Sequence, residues 1–128
     1  MFHHLAPSLA EELKRRLAEE THRIKPPLAR LAGLVSLGQG TAFRIESPEL
    51  ADIRDRLAEA FAPMLMPQDK AGWRPHVTIQ NKATPAEAKA LLRRLEADFT
   101  PRPVQIAGLA SWLYRGGPWA QMSRHMFA

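Results

Sequence analysis

A helix followed by a glycine-turned hairpin occurs twice in this chain, and the two copies share residues at corresponding points. Ala10 to Leu17 reads Ala-Glu-Glu-Leu-Lys-Arg-Arg-Leu, and Ala88 to Leu95 reads Ala-Lys-Ala-Leu-Leu-Arg-Arg-Leu, an offset of 78 that Pro7 and Pro85 share. Ala32-Gly33-Leu34-Val35-Ser36 answers Ala107-Gly108-Leu109-Ala110-Ser111 at an offset of 75. Each is followed by a glycine turn, Gly38-Gln39-Gly40 in the first copy and Gly116-Gly117 in the second. Helices rich in Ala, Leu and Arg resemble one another cheaply, so the weight rests on two matches in the same order. The expectation is one domain over 1–128, built from pseudo-repeat halves of about 1–62 and 73–128.

Local signals place the elements. Phe2-His3-His4 reads as the end of a strand. Ser8 to Glu11 matches a capping box, and Leu9, Leu13 and Leu17 stripe a helix that runs to about Glu20. Pro26-Pro27 forbids its continuation. Leu28 to Leu37 and Thr41 to Glu46 form a hairpin across the glycine turn. Ser47-Pro48 opens a second helix, with Leu50, Ile53, Leu57 and Phe61 on its apolar side. Pro63 and Pro67 bracket a Met-rich loop. Thr84-Pro85-Ala86-Glu87 caps a third helix striped by Ala88, Leu91, Leu95 and Phe99. Pro101 and Pro103 end it. Val104 to Arg115 then reads as one long strand, and Pro118 to Phe127 as its return. The fold class is α+β, with helices outside two lobes of antiparallel sheet and a central cleft between them.

The stretch with chemistry is Arg74-Pro75-His76-Val77-Thr78-Ile79-Gln80-Asn81-Lys82. Pro75 opens a strand, because it cannot donate within a paired one. The alternation that follows puts His76, Thr78, Gln80 and Lys82 on one face and Val77 and Ile79 in the core. Such a row suits a phosphate. Trp73 is expected to pack beneath this strand.

Charge agrees with an anionic ligand. The net charge is +5, and Asp98 is the last acidic residue, so the final stretch carries only Arg102, Arg115 and Arg124 as formal charges. Phosphate esters and nucleic acid fit that imbalance, as does an ordinary solvated surface. The absence of cysteine excludes disulfides, thiolate metal sites and a cysteine nucleophile. No apolar run reaches the length of a membrane span, and no leader pattern opens the chain, which points to the cytoplasm.

The Arg74–Ile79 stretch with Gln80-Asn81-Lys82, together with Gly116-Gly117-Pro118-Trp119, resembles the 2′-5′ RNA ligase family of the two-histidine phosphoesterase superfamily. The similarity runs through the whole chain. It implies a cleft between two lobes, each bearing a His-x-Thr or His-x-Ser motif on its central strand. It also implies cofactor-free and metal-free chemistry on RNA or nucleotides with 2′,3′-cyclic phosphates or 2′-5′ linkages. One histidine would activate water and the other would protonate the leaving oxygen, each typically worth about 10²–10⁴-fold. Threonine hydroxyls would stabilise charge on the non-bridging oxygens. Carried over residue by residue, the motif falls on His76 and Thr78. Gln80, Lys82, Arg44, Tyr114, Arg115, Trp119 and His4 are the candidate substrate contacts. For Tyr114, Trp119 and Trp112 a second reading stands beside it, that of hairpin core and cross-strand pairs, and it is the favoured one for Trp112.

The repeat offset maps Ile79 onto Met1 and places the counterpart of His76 and Thr78 immediately before Met1. The expectation is an incomplete first lobe, from a start recorded too far downstream or a truncated chain. An exposed first-lobe sheet edge then predicts self-association. His4 has the parity of a cleft residue but lies roughly 20 Å along the strand from the expected motif position, and His3 faces the other way. Adjacent histidines with no helical pair or carboxylate-rich loop do not form a metal site. His22 and His125 read as a helix-end and a strand residue. Two functions stay open: a phosphodiesterase or 2′-5′ RNA ligase, and a non-catalytic RNA- or nucleotide-binding fragment or descendant of that fold.

Overall fold

The computed structural model describes residues 1–128. Six strands and four helices follow in the order α1 (Ala10–Thr21), β1 (Leu28–Ser36), β2 (Thr41–Glu46), α2 (Pro48–Ala60), α3 (Pro67–Lys70), β3 (His76–Gln80), α4 (Pro85–Asp98), β4 (Arg102–Gln105), β5 (Gly108–Leu113) and β6 (Ala120–Met126). The α+β class is as read from the sequence.

Two helix starts form as their residues dictate. Ser47 accepts from the Leu50 N–H at 3.1 Å and donates to the Leu28 carbonyl at 2.6 Å, so it caps α2 and ties it to β1. Thr84 and Glu87 close a full capping box on α4. The box expected at Ser8 does not form. Pro7 starts a short 3-10 turn that draws Ser8 into it, and α1 begins at Ala10 without a side-chain cap.

Two antiparallel sheets result, one of four strands in the order β3-β2-β1-β4 and one of two, β5-β6. The first hairpin therefore lies inside the larger sheet, flanked on both sides. This corrects the expectation of an exposed edge there: the unpaired edges belong to β3, β4 and the β5–β6 pair. No strand forms at Phe2-His3-His4; the Met1–Ala6 segment is irregular, and the His3 backbone bonds to Asp69 instead of to a ladder. The long strand expected over 104–115 is two strands in different sheets. β4 pairs with β1, Leu28 opposite Gln105, while β5 pairs with β6. Pro103 is tolerated because β4 is an edge. Gly108 starts β5 where a Cβ would come within 2.4 Å of the His125 carbonyl oxygen, so only glycine fits the new pairing.

The apolar core is shared between helices and the smaller sheet. Leu17 of α1, Leu50, Ile53 and Leu57 of α2, Leu109 of β5 and Phe127 form one buried cluster. Trp73 packs against this cluster together with Phe2. The Glu20 carboxylate accepts from Arg56 at 2.7 and 2.9 Å, joining α1 to α2 at the surface. On the other sheet α4 packs over β1 and β2. There Phe43 meets Phe99 at 6.0 Å between ring centres, and the Thr41 hydroxyl reaches the Ala88 carbonyl at 3.2 Å. Helix α4 covers the inner strands rather than the edge strand β3. Val77 and Ile79, expected in the core, are consequently 52% and 40% exposed.

Candidate active site

The motif strand begins where Pro75 predicts. The Pro75 carbonyl accepts from the Ile45 N–H at 3.0 Å, and ladder pairing with β2 follows from His76 onward. Register sets the face. His76 stands opposite Arg44 and Thr78 opposite Ala42, while Val77 stands opposite Phe43 on the side that Phe99 packs. Directly opposed residues share a face, so His76, Thr78 and Arg44 project together, away from Phe43.

The His76 ring is held in one tautomer. Its Nδ1 lies 2.8 Å from the Arg74 carbonyl oxygen, which can only accept, so Nδ1 carries the proton. Nε2 is then the basic nitrogen, and His76 is exposed. The Arg44 guanidinium is steadied by the Ala32 carbonyl at 3.4 Å and by Glu46 at 3.7 Å. Glu46 is also paired with Arg30 at 3.1 Å, so one carboxylate serves two cations and leaves this face positive. An acceptor nitrogen, a hydroxyl and a guanidinium on one exposed strand face can polarise a phosphodiester and move a proton at it.

The expected four-residue row stops at Thr78. Thr41 pairs with Gln80 while Ala42 pairs with Thr78, so β3 carries an extra residue at Ile79. Gln80 thereby comes into register with Thr41, whose hydroxyl reaches α4, and its side-chain oxygen is buried without a partner. Lys82 lies beyond the strand with φ 55°, a left-handed residue in the turn toward α4. Gly40 holds this end of the strand: a Cβ there would sit 2.0 Å from the Gln80 carbonyl oxygen, and the Ala83 N–H donates to Gln39 at 2.9 Å.

The other candidate contacts gather elsewhere. His4, Tyr114 and Trp119 line a groove of about 600 Å³ between the Met1–Pro7 segment, α1 and β5. Tyr114 and Trp119 stack at 4.7 Å between ring centres, and both are about half exposed. Trp112, read as hairpin core, lines the same groove and is 51% exposed. It stands just after a register shift in the β5–β6 ladder. Arg115, exposed in the turn before β6, does not line the groove, nor do His76, Thr78, Arg44, Gln80 and Lys82.

One pair escaped the sequence reading. Asp69, 1% exposed, accepts from His3 Nδ1 at 2.7 Å and from the His3 backbone N–H at 3.1 Å. Its backbone carbonyl accepts from buried Arg54, whose guanidinium lies 4.9 Å over the Phe2 ring. Burial pushes the Asp69 carboxyl up, but hydrogen bonds from the His3 ring and from the His3 and His4 backbones outweigh it and hold the group below the usual carboxylate range. The partners are 66 residues apart. Nothing local marked Asp69, which sits between Gln68 and Lys70 in the short helix α3.

No three His, Asp or Glu side chains come together in a way that would hold a metal ion, and no helix is long and apolar enough to cross a membrane. No curated protein and no solved structure matches the chain. The sequence profile of the 2′-5′ RNA ligase superfamily matches residues 1–118, and a phosphodiesterase- or ligase-type function follows in general terms. With the match spanning the motif strand and both hairpin turns, the chain belongs to the 2′-5′ RNA ligase superfamily.

Proposed function

We propose that the chain acts on phosphodiesters at the ribose 2′ position of RNA, opening a 2′,3′-cyclic phosphate by histidine acid–base chemistry without a metal. The observation that supports this reading is the His76 tautomer: Nδ1 is tied to the Arg74 carbonyl, and Nε2 is free beside Thr78 and Arg44 on one strand face. Water adds to phosphorus as His76 Nε2 takes its proton, and one ring P–O bond breaks. The leaving ribose oxygen takes a proton from solvent or from a second acid. Thr78 donates to a non-bridging oxygen, and Arg44 balances the charge that gathers there. Ligation is the same displacement with a ribose hydroxyl in place of water: its oxygen adds to phosphorus, His76 Nε2 takes its proton, and the same ring P–O bond breaks.

Hydrolysis of a nucleoside 2′,3′-cyclic phosphate by the chain and by its His76→Ala variant tests this. The expected loss is about 10²–10⁴-fold in kcat/KM. Equal turnover in both proteins would remove His76 from the chemistry. A second reading, binding of RNA or nucleotide without turnover, is favoured by one fact: the 128 residues contain a single His-x-Thr. Binding that His76→Ala weakens, in the absence of any turnover, would select it.

A further inference from the structure

The groove along β5 has an unusual lining for a protein of net charge +5: no Asp, Glu, Lys or Arg faces it. Its walls are mostly apolar, the stacked Tyr114–Trp119 pair stands at one part, and His3 and His4 stand at another. Behind the wall lies Asp69, buried, while the His3 side chain bonded to it is 63% exposed. A carboxylate only accepts, so His3 Nδ1 is the donor and Nε2 is left as the acceptor nitrogen of an exposed ring. The Gln68 amide stands 3.3 Å from that nitrogen, at the long end of a hydrogen bond, so another donor can displace it.

We propose that this groove is a ribonucleoside subsite, with the base on the Tyr114–Trp119 face and a ribose hydroxyl donating to His3 Nε2. No lysine or arginine side chain lines the groove and its wall is mostly apolar, which suits an uncharged base and sugar better than a phosphate. Aromatic faces stack any base, so affinity is tolerant of sequence, while the hydroxyl contact separates ribose from deoxyribose. Asp69 acts here as a positioning residue: it fixes the tautomer that makes Nε2 an acceptor. Choosing a nucleoside over another planar ligand rests on the RNA-directed reading above; the groove is lined by none of the residues to which that reading assigns chemistry.

Titration of the groove tryptophans with adenosine and with 2′,3′-dideoxyadenosine tests the proposal. Adenosine is expected to quench fluorescence and to bind about 3–10-fold more tightly than the dideoxy compound. His3→Ala and His3→Gln should each erase that difference. The glutamine amide can still donate to Asp69, so this variant separates loss of the contact from loosening of the segment. Trp119→Ala should weaken both nucleosides alike. His76→Ala, in which hydrolysis is lost, should titrate like the wild type. No quenching by adenosine, equal affinity for the two nucleosides, a preference that survives both His3 variants, or binding that depends on His76 would each overturn the subsite. Failure to hydrolyse cyclic phosphate, with the ribose preference intact, would instead count only against the proposed reaction.

Discussion

The two sheets of this molecule are held together in different ways, and each presents a different kind of surface. The four-stranded sheet has its central hairpin paired on both sides and backed by α4, and it displays a short polar row, His76, Thr78 and Arg44. The two-stranded sheet has a single ladder, β5 with β6, and depends on the cluster of Leu17, Leu50, Ile53, Leu57, Leu109 and Phe127 beneath it. Aromatic rings stand half-exposed along β5 and its turn, in the groove beside α1. A surface that must hold a nitrogen and a hydroxyl in fixed relation is built on a ladder, where register decides geometry. A surface that stacks planar groups tolerates a looser support.

Perturbing each support separates the two. The largest effect on stability is expected from Leu57→Ala, which removes a side chain 2% exposed at the centre of the shared cluster and should cost about 2–5 kcal/mol. Thermal unfolding followed by tryptophan fluorescence and by far-ultraviolet circular dichroism should shift together; two separated midpoints would show that the sheets melt independently and would break the picture of one cooperative core.

Asp69→Ala comes next, at about 1–3 kcal/mol, because it removes the buried charged acceptor shared by the His3 ring and backbone N–H groups. Its pH dependence has a definite sign. The Asp69 carboxyl lies below its ordinary range in the folded state, so its contribution is present above the unfolded-chain value near 4 and is lost as pH falls through the lower native value. Denaturant midpoints measured from pH 6 downward should fall less steeply in the variant than in the wild type. Parallel curves would mean that the carboxylate does not anchor the segment.

The smallest effect is expected from Thr84→Ala on the other sheet. It removes the cap of α4 and should cost about 1 kcal/mol by denaturant titration. The groove fluorescence should stay unchanged under native conditions. A change there would show that α4 supports both surfaces.

What the sequence disclosed follows from how far each signal reaches. The capping of α2 and α4 was legible because Ser47 and Thr84 act on N–H groups three residues away. The face carrying His76 and Thr78 was legible because strand alternation is local. The extra residue at Ile79 was not, since a bulge is decided by how β3 meets β2, and it takes Gln80 out of the row. The division of 104–115 between two sheets was invisible for the same reason: residues on either side of Ile106 and Ala107 look alike, and only their distant partners β1 and β6 distinguish them. Asp69 and His3 meet across most of the chain. The family motif found the polar row; no comparable motif marked the groove.

The order β3-β2-β1-β4 means that the sheet begun by the first hairpin is completed by strands from beyond residue 75. Neither half of the chain therefore owns the whole of the four-stranded sheet. Cut in the loop between α2 and β3, the polypeptide would give two pieces, one holding the hairpin without its flanks and the other holding the flanks without the hairpin. Each piece supplies the template on which the other acquires its strands, so the motif histidine gains its neighbour Arg44 only when the two are joined. Interlacing of this kind makes assembly of the reactive face the same event as folding.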